Sequence, residues 1–176
     1  PREVRKEPFL VMTLDGEGDG LCSTVHVVRD GRWERIGKTE AGNSIASFYG
    51  AITKFLKMRV NEHEYKVMGL APYCSAYNRD KTLKKFNGLF WVNDDLSFGS
   101  VGGGNFVIKW LNENLTDDRF DAVAAAAQKY VEDLAVEWVT KAIDKTGVHN
   151  VALSGGFFMN IKANKAIMEL PGVQKL

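Results

Sequence analysis

The chain has 176 residues, 45% hydrophobic and 26% charged, with 23 basic against 22 acidic side chains and a formal net charge of +1. That length allows one substantial core and would crowd a second full domain, so a single domain over 1–176 is expected. The near-neutral balance supplies no field to draw in nucleic acid or an anionic membrane, and no apolar run nears the roughly 20 residues that span a bilayer.

Cys22 and Cys74 lack CxxC spacing and read as reduced structural thiols, and the charged N-terminal PREVRKEP has no signal-type core after it, so a cytoplasmic protein is expected. Pro1 stands where a methionine would, and ELPGVQKL stops where a strand begins after Pro171-Gly172. Both ends read as cut from something longer.

In chain order, FLVMTL from Phe9 is a short apolar strand that runs into an acid-and-glycine loop, Asp15, Gly16, Glu17, Gly18, Asp19 and Gly20. Carboxylates offer hard oxygen ligands, and glycines permit close backbone approach, so the loop suits a cation or a phosphate. It is equally a plain turn between strands. Leu21 to Arg29 and Arg32 to Lys38 read as strands joined by the hairpin signal Asp30-Gly31, giving a β-meander.

Asn43 or Ser44 caps a helix whose apolar residues Ile45, Phe48, Tyr49, Ile52, Phe55 and Leu56 recur every three or four positions. A helical turn follows over Glu64 to Leu70, ended by Pro72, then a basic helix over Tyr77 to Phe86. Leu89 to Trp110 reads as strands, with a turn at Asn93-Asp94-Asp95 and a flexible glycine loop over Gly99 to Asn105 that is a lid or a linker. Asp117 or Asp118 opens the longest helix, which Gly147 ends, and its small residues Ala124 to Ala127 let it lie close to a sheet.

A short buried strand, Asn150 to Leu153, leads through Ser154-Gly155-Gly156 into a helix from about Phe158 to Leu170. Free N–H groups at such a helix start favour a phosphate, although tight strand-to-helix packing explains the glycines as well. Neither glycine turn matches the Rossmann or Walker pattern. His26 and His63 lack ligand-like company, and the four tryptophans read as core or interface anchors.

Four stretches say more than the outline: NSIASFYGAITKFL (43–56), EHEYKVMGLAPY (62–73), AAAQKYVEDLAVEWV (125–139) and LSGGFFMNIKANKAI (153–167). In this order they resemble the O-carbamoyltransferase family of nodulation and antibiotic-tailoring enzymes, over nearly the whole chain. The resemblance implies an α/β fold of the actin, sugar-kinase and Hsp70 (ASKHA) type, in part, with a mixed sheet, a β-meander and packed helices, related to the ATPases that form threonylcarbamoyl groups on tRNA.

It also implies a carbamoyl group moved from carbamoyl phosphate, through an ATP-derived carbamoyl-adenylate, to a hydroxyl of a sugar-like or natural-product acceptor. A divalent metal, iron or magnesium, would sit beside the nucleotide. Of the family's ligands, an HxxxH pair, the aspartate opening a DGxG loop and a later aspartate, only Asp15 has a counterpart; the others would fall before Pro1 and after Leu176. The chain alone is therefore expected to be inactive and to bind metal weakly.

The same resemblance gives Gly16 and Gly18 to the phosphate approach and Ser154, Gly155, Gly156 and Asn160 to the nucleotide. Lys66 is either a phosphate lysine or a partner of Glu62 or Glu64. Tyr65 and Cys74 replace glycines that the family usually has there. The expected partners are small molecules, with no nucleic acid or membrane, and a homodimer is left open. The alternatives are a sugar kinase, a tRNA-modifying ATPase, or a non-enzymatic actin-like nucleotide-binding module; sugar phosphate formation, a basic surface or nucleotide-dependent partner binding would mark each in turn.

Overall fold

A computed structural model describes residues 7–176. Three antiparallel strands come first: β1 (Phe9–Gly18), β2 (Leu21–Arg29) and β3 (Arg32–Glu40). Leu10, Met12 and Leu14 alternate onto one face of β1 and are buried, as a period of two residues requires. Both hairpin turns place their two central residues at positive φ, Asp19 (54°) with Gly20 (77°) and Asp30 (49°) with Gly31 (75°). That is the primed geometry whose twist matches the flanking strands.

The sheet gains its fourth strand from far along the chain. β6 (Val151–Ser154) lies parallel to β1 in register Leu10↔Val151 to Thr13↔Ser154, so the order is β3-β2-β1-β6 and β1 is interior. A separate hairpin, β4 (Phe90–Val92) with β5 (Phe98–Ser100), stands apart from that sheet. The architecture is α/β with a mixed sheet and packed helices.

The helices are α1 (Ile45–Phe55), α2 (Glu64–Leu70), α3 (Ala76–Phe86), α4 (Gly104–Asn114), α5 (Phe120–Thr146) and α6 (Ile161–Met168). Ser44 caps α1 by accepting the Ser47 N–H at 3.1 Å, and Ser75 caps α3 by accepting the Asn78 N–H at 3.3 Å. α2 runs into a 3₁₀ turn, Ala71–Tyr73, at Pro72. α5 is the spine of the core: Ala124 to Ala127, Val131, Trp138 and Val139 are all buried, and Gly147 ends it at φ +64°.

Trp138 donates its indole N–H to the Leu96 carbonyl at 2.7 Å, tying β5's approach to α5, while Phe48 meets Phe86, Phe90 and Tyr130 edge-on at centroid distances of 5.5 to 5.7 Å. Among the described residues no helix is long and apolar enough to cross a membrane. α5 has the length, but it carries Lys129, Glu132, Asp133, Glu137 and Lys141.

Four expectations need correction. The acid-and-glycine stretch is not a loop from Asp15: β1 continues to Gly18 with its pairing to β2 irregular after Leu14, and only Asp19 and Gly20 make the turn. The stretch up to Trp110 is not all strand: α4 begins at Gly104, because Val107, Leu111 and Leu115 repeat every four residues and are buried together. Neither Asp117 nor Asp118 caps α5. Asp118 is drawn instead to α3, where its carboxylate accepts from the Thr82 hydroxyl at 2.8 Å and pairs with Lys85, so α5 starts at Phe120 after Arg119. The helix expected from Phe158 is divided, with a 3₁₀ turn over Gly156–Met159 and α6 starting only at Ile161.

Candidate functional site

The regular pairing of β1 with β2 breaks between Leu14 and Gly18, and that break holds Asp15. Asp15 lies exposed at the end of the buried part of β1. Since β6 runs parallel to β1, its last residue, Ser154, arrives at the same end of the sheet. Chain direction alone therefore brings the acidic end of β1 and the glycine turn together.

The approach is close enough to dictate sequence. Gly155 has φ +108°, and a Cβ there would lie 2.3 Å from the Leu14 carbonyl oxygen. No side chain fits. One residue on, the Gly156 N–H donates to Asp15 Oδ2 at 3.2 Å, and the Gly16 N–H donates to Asp15 Oδ1 at 2.8 Å. The carboxylate is thus clamped between the irregular end of its own strand and the turn after β6.

α1 supplies the third side. The Ser44 hydroxyl donates to the Asp15 carbonyl at 2.7 Å while its oxygen caps the helix, and the Ser47 hydroxyl donates to the Gly16 carbonyl at 3.3 Å. Ser44 was legible as a cap; its second role, and that of Ser47, depend on a contact across about 30 residues that local pattern cannot reveal.

The other expected site residues divide. Ser154 is exposed beside the clamp, and Gly18 lies farther along the β1–β2 hairpin with open space where a Cβ would project. Asn160 is committed to structure: its Oδ1 accepts the Ala163 N–H at 3.2 Å, capping α6, and its amide forms a reciprocal pair with Gln128 at 3.0 and 3.1 Å. Lys66 is exposed on α2, its ammonium 5.8 Å from the Tyr65 ring centroid. The expected ion pair with Glu62 or Glu64 does not form, because Arg59 takes Glu62 at 2.9 Å and the Asn61 N–H takes Glu64 at 2.8 Å.

No group of three or more His, Cys, Asp or Glu side chains that could hold a metal ion occurs among the described residues. Asp15 alone does not complete a metal centre. His63 Nδ1 accepts the Arg59 N–H at 3.2 Å, His149 Nδ1 lies 2.8 Å from the Gly172 carbonyl, and His26 packs edge-on against Trp33. Burial, then the nearby Arg35 charge, lowers the His26 pKa and favours its neutral form. Cys22 is buried, which pushes its thiol up to about 11, far from reactive.

Along the rim, the glycine stretch is held at its start, where Ser100 ends β5. The Ser100 hydroxyl donates to Asn43 Oδ1 at 2.6 Å, next to Ser44. From Asn43 a groove of ≈ 530 Å³ extends away between β3 and the β4–β5 hairpin, lined by Arg35, Lys38, Asn93, Asp95 and Phe98 among others. Hydrogen bonds from the Ser97 hydroxyl and N–H hold Asp95 below the usual carboxylate range.

Fold and site define an α/β protein in which a carboxylate on β1 and a glycine turn meet at the carboxyl ends of two parallel strands. Residues 5–173 match the carbamoyltransferase N-terminus family, and the chain belongs to that family. It is similar to two uncharacterized proteins of Methanocaldococcus jannaschii, at 25% identity over 167 residues (91% of this chain, 32% of the relative) and 26% over 186 residues (95% and 30%). An uncharacterized protein of Synechocystis is 23% identical over 177 residues (90% and 28%). The chain spans about a third of the length of these curated relatives.

Proposed function

We propose that this chain forms the metal- and nucleotide-facing part of an enzyme that transfers a carbamoyl group from carbamoyl phosphate, by way of an ATP-derived carbamoyl-adenylate, to a hydroxyl of a sugar-like or natural-product acceptor. The observation that carries the reading is the clamp at Asp15, where a carboxylate on β1 and an amide-bearing turn 141 positions away share one hydrogen bond. Membership of the carbamoyltransferase N-terminus family supports the chemistry. The sheet order, a meander extended on its inner edge by a parallel strand, supports an actin, sugar-kinase and Hsp70 type of domain.

Electrostatics sharpens the reading. A phosphate brought against the Gly156 amide would meet the Asp15 carboxylate at once, so an anion is held here only with a cation between them. Asp15 would provide one ligand to that cation; among the described residues no group of three or more His, Cys, Asp or Glu side chains completes a set around it. A divalent ion, iron or magnesium, would offset phosphate charge.

The chain's own residues then bind and orient. Gly155 and Gly156 allow the backbone to come close, Gly16 fixes the carboxylate, and the Ser154 hydroxyl stands exposed as a donor. In the transfer, the acceptor hydroxyl oxygen would bond to the carbamoyl carbon while the bond from that carbon to the phosphate oxygen breaks, releasing AMP, and the hydroxyl proton would pass to solvent. Holding the adenylate against these amides supplies orientation, which counts for much of such a barrier.

Asp15→Ala in the whole protein tests the reading. Carbamoylated product from carbamoyl phosphate, ATP and a hydroxyl acceptor should fall by a factor on the order of 100 or more, the range for losing an electrostatic group at a reaction centre. Bound metal should fall with it, and the far-ultraviolet circular dichroism should not change. Full turnover in the variant removes Asp15 from the site.

A further inference from the structure

Directly behind the glycine turn lies a buried polar cluster that the clamp at Asp15 does not use. Gln128 sits on α5 at the end of the alanine run, 3% exposed, in a stretch otherwise given over to small apolar side chains. All of its amide capacity is spent. Oε1 accepts from the Tyr49 hydroxyl of α1 at 2.7 Å and from Asn160 Nδ2 at 3.1 Å. Nε2 donates to Asn160 Oδ1 at 3.0 Å and to Glu132 Oε1 at 2.7 Å.

Asn160 is the hinge point of the arrangement. It ends the 3₁₀ turn that begins at Gly156, and its side chain caps α6. Gly155, Gly156 and Asn160 are therefore one short rigid stretch, pinned by Leu14 and Asp15 at one end and by Gln128 at the other. A buried amide placed among small apolar residues is costly unless fully paired, and here it is fully paired on three different elements.

We infer that Gln128 is a positioning residue for the glycine turn: through its reciprocal amide pair with Asn160 it sets where the Gly156 N–H points, and so tunes ligand binding at the clamp without touching the ligand. The functional half of this inference rests on the nucleotide reading above. Tyr49 extends the same linkage to α1, which also carries Ser44 and Ser47, so both walls of the clamp are referenced to one side chain. Burial raises the Tyr49 phenol, with Glu132 and then Glu64 adding to the effect, and keeps it a donor.

Two measurements on the whole protein separate the parts. Hydrogen exchange without nucleotide should show the amides of residues 155–160 opening roughly tenfold faster in Gln128→Leu than in wild type, the scale of one lost buried hydrogen bond, with the β1–β2 amides unchanged. Calorimetric titration with ATP and magnesium should give a Kd weakened about tenfold. Asn160→Asp keeps a competent cap for α6 but loses the donated half of the pair, so it carries the test if Gln128→Leu does not fold; it should move both readouts the same way.

The double variant should be no worse for ATP than Gln128→Leu alone, because both act through one pair. Unaltered exchange at 155–160, or equal acceleration across the meander, would overturn the role of Gln128. Wild-type protein that takes up no ATP would overturn the nucleotide reading while leaving the exchange result to stand on its own.

Discussion

Gly155 and Gly156 are neighbours with different obligations. At Gly155 a methyl group would collide with the Leu14 carbonyl and the backbone sits at φ +108°, so Gly155→Ala is expected to cost about 2–4 kcal/mol from strain and strand displacement. At Gly156 the Cβ would meet the exposed Asp15 Oδ1 at 3.0 Å, which a small rotation relieves. Gly156→Ala should thus stay within about 1 kcal/mol of wild type in urea unfolding. Equal losses at both positions would contradict this division. The Gly-Gly pair was visible in the sequence, but which of the two is indispensable was not, because the answer lies with a carbonyl 141 positions away.

At the scale of elements, the helices that announced themselves by cap and stripe are where they were expected: Ser44 opens α1, and Gly147 closes α5. The errors share a cause. Asp118 looked like a cap, yet Thr82 and Lys85 recruit it across to α3, and the residues up to Trp110 looked like strand although Val107 begins a buried series that steps by four to Leu111 and Leu115. The true start of α5 is held by Arg119, whose guanidinium grips Asp121 through two bonds of 3.0 and 3.1 Å. That grip, chiefly the Arg119 hydrogen bonds, lowers the Asp121 pKa.

The folded value being depressed, the stabilisation is complete above the ordinary aspartate range near pH 3.9 and is lost as pH falls through the folded value. Asp121→Asn should therefore flatten the decline of the unfolding midpoint below about pH 4. An identical acid decline in the variant would deny the pair a role. Deeper in the same helix, Trp138→Ala should cost about 3–5 kcal/mol by denaturant unfolding, since a fully buried ring and its bond to Leu96 are both lost.

Across the whole molecule, the meander was readable because each of its strands pairs with a sequence neighbour, whereas β6 joins β1 only after every helix but one has intervened. Closing so long a loop is slow and comes at an entropy cost that grows only logarithmically with length. The glycine turn after β6 was legible as a turn, whereas the acidic stretch read as a loop continues as strand to Gly18; that the two meet followed from strand direction, which no local pattern encodes. The wide separation has a consequence for a chain still on the ribosome. Asp15 leaves the exit tunnel long before Gly156, so its carboxylate has no partner from the second turn until the whole stretch between them has been made, and the clamp cannot assemble on the meander alone.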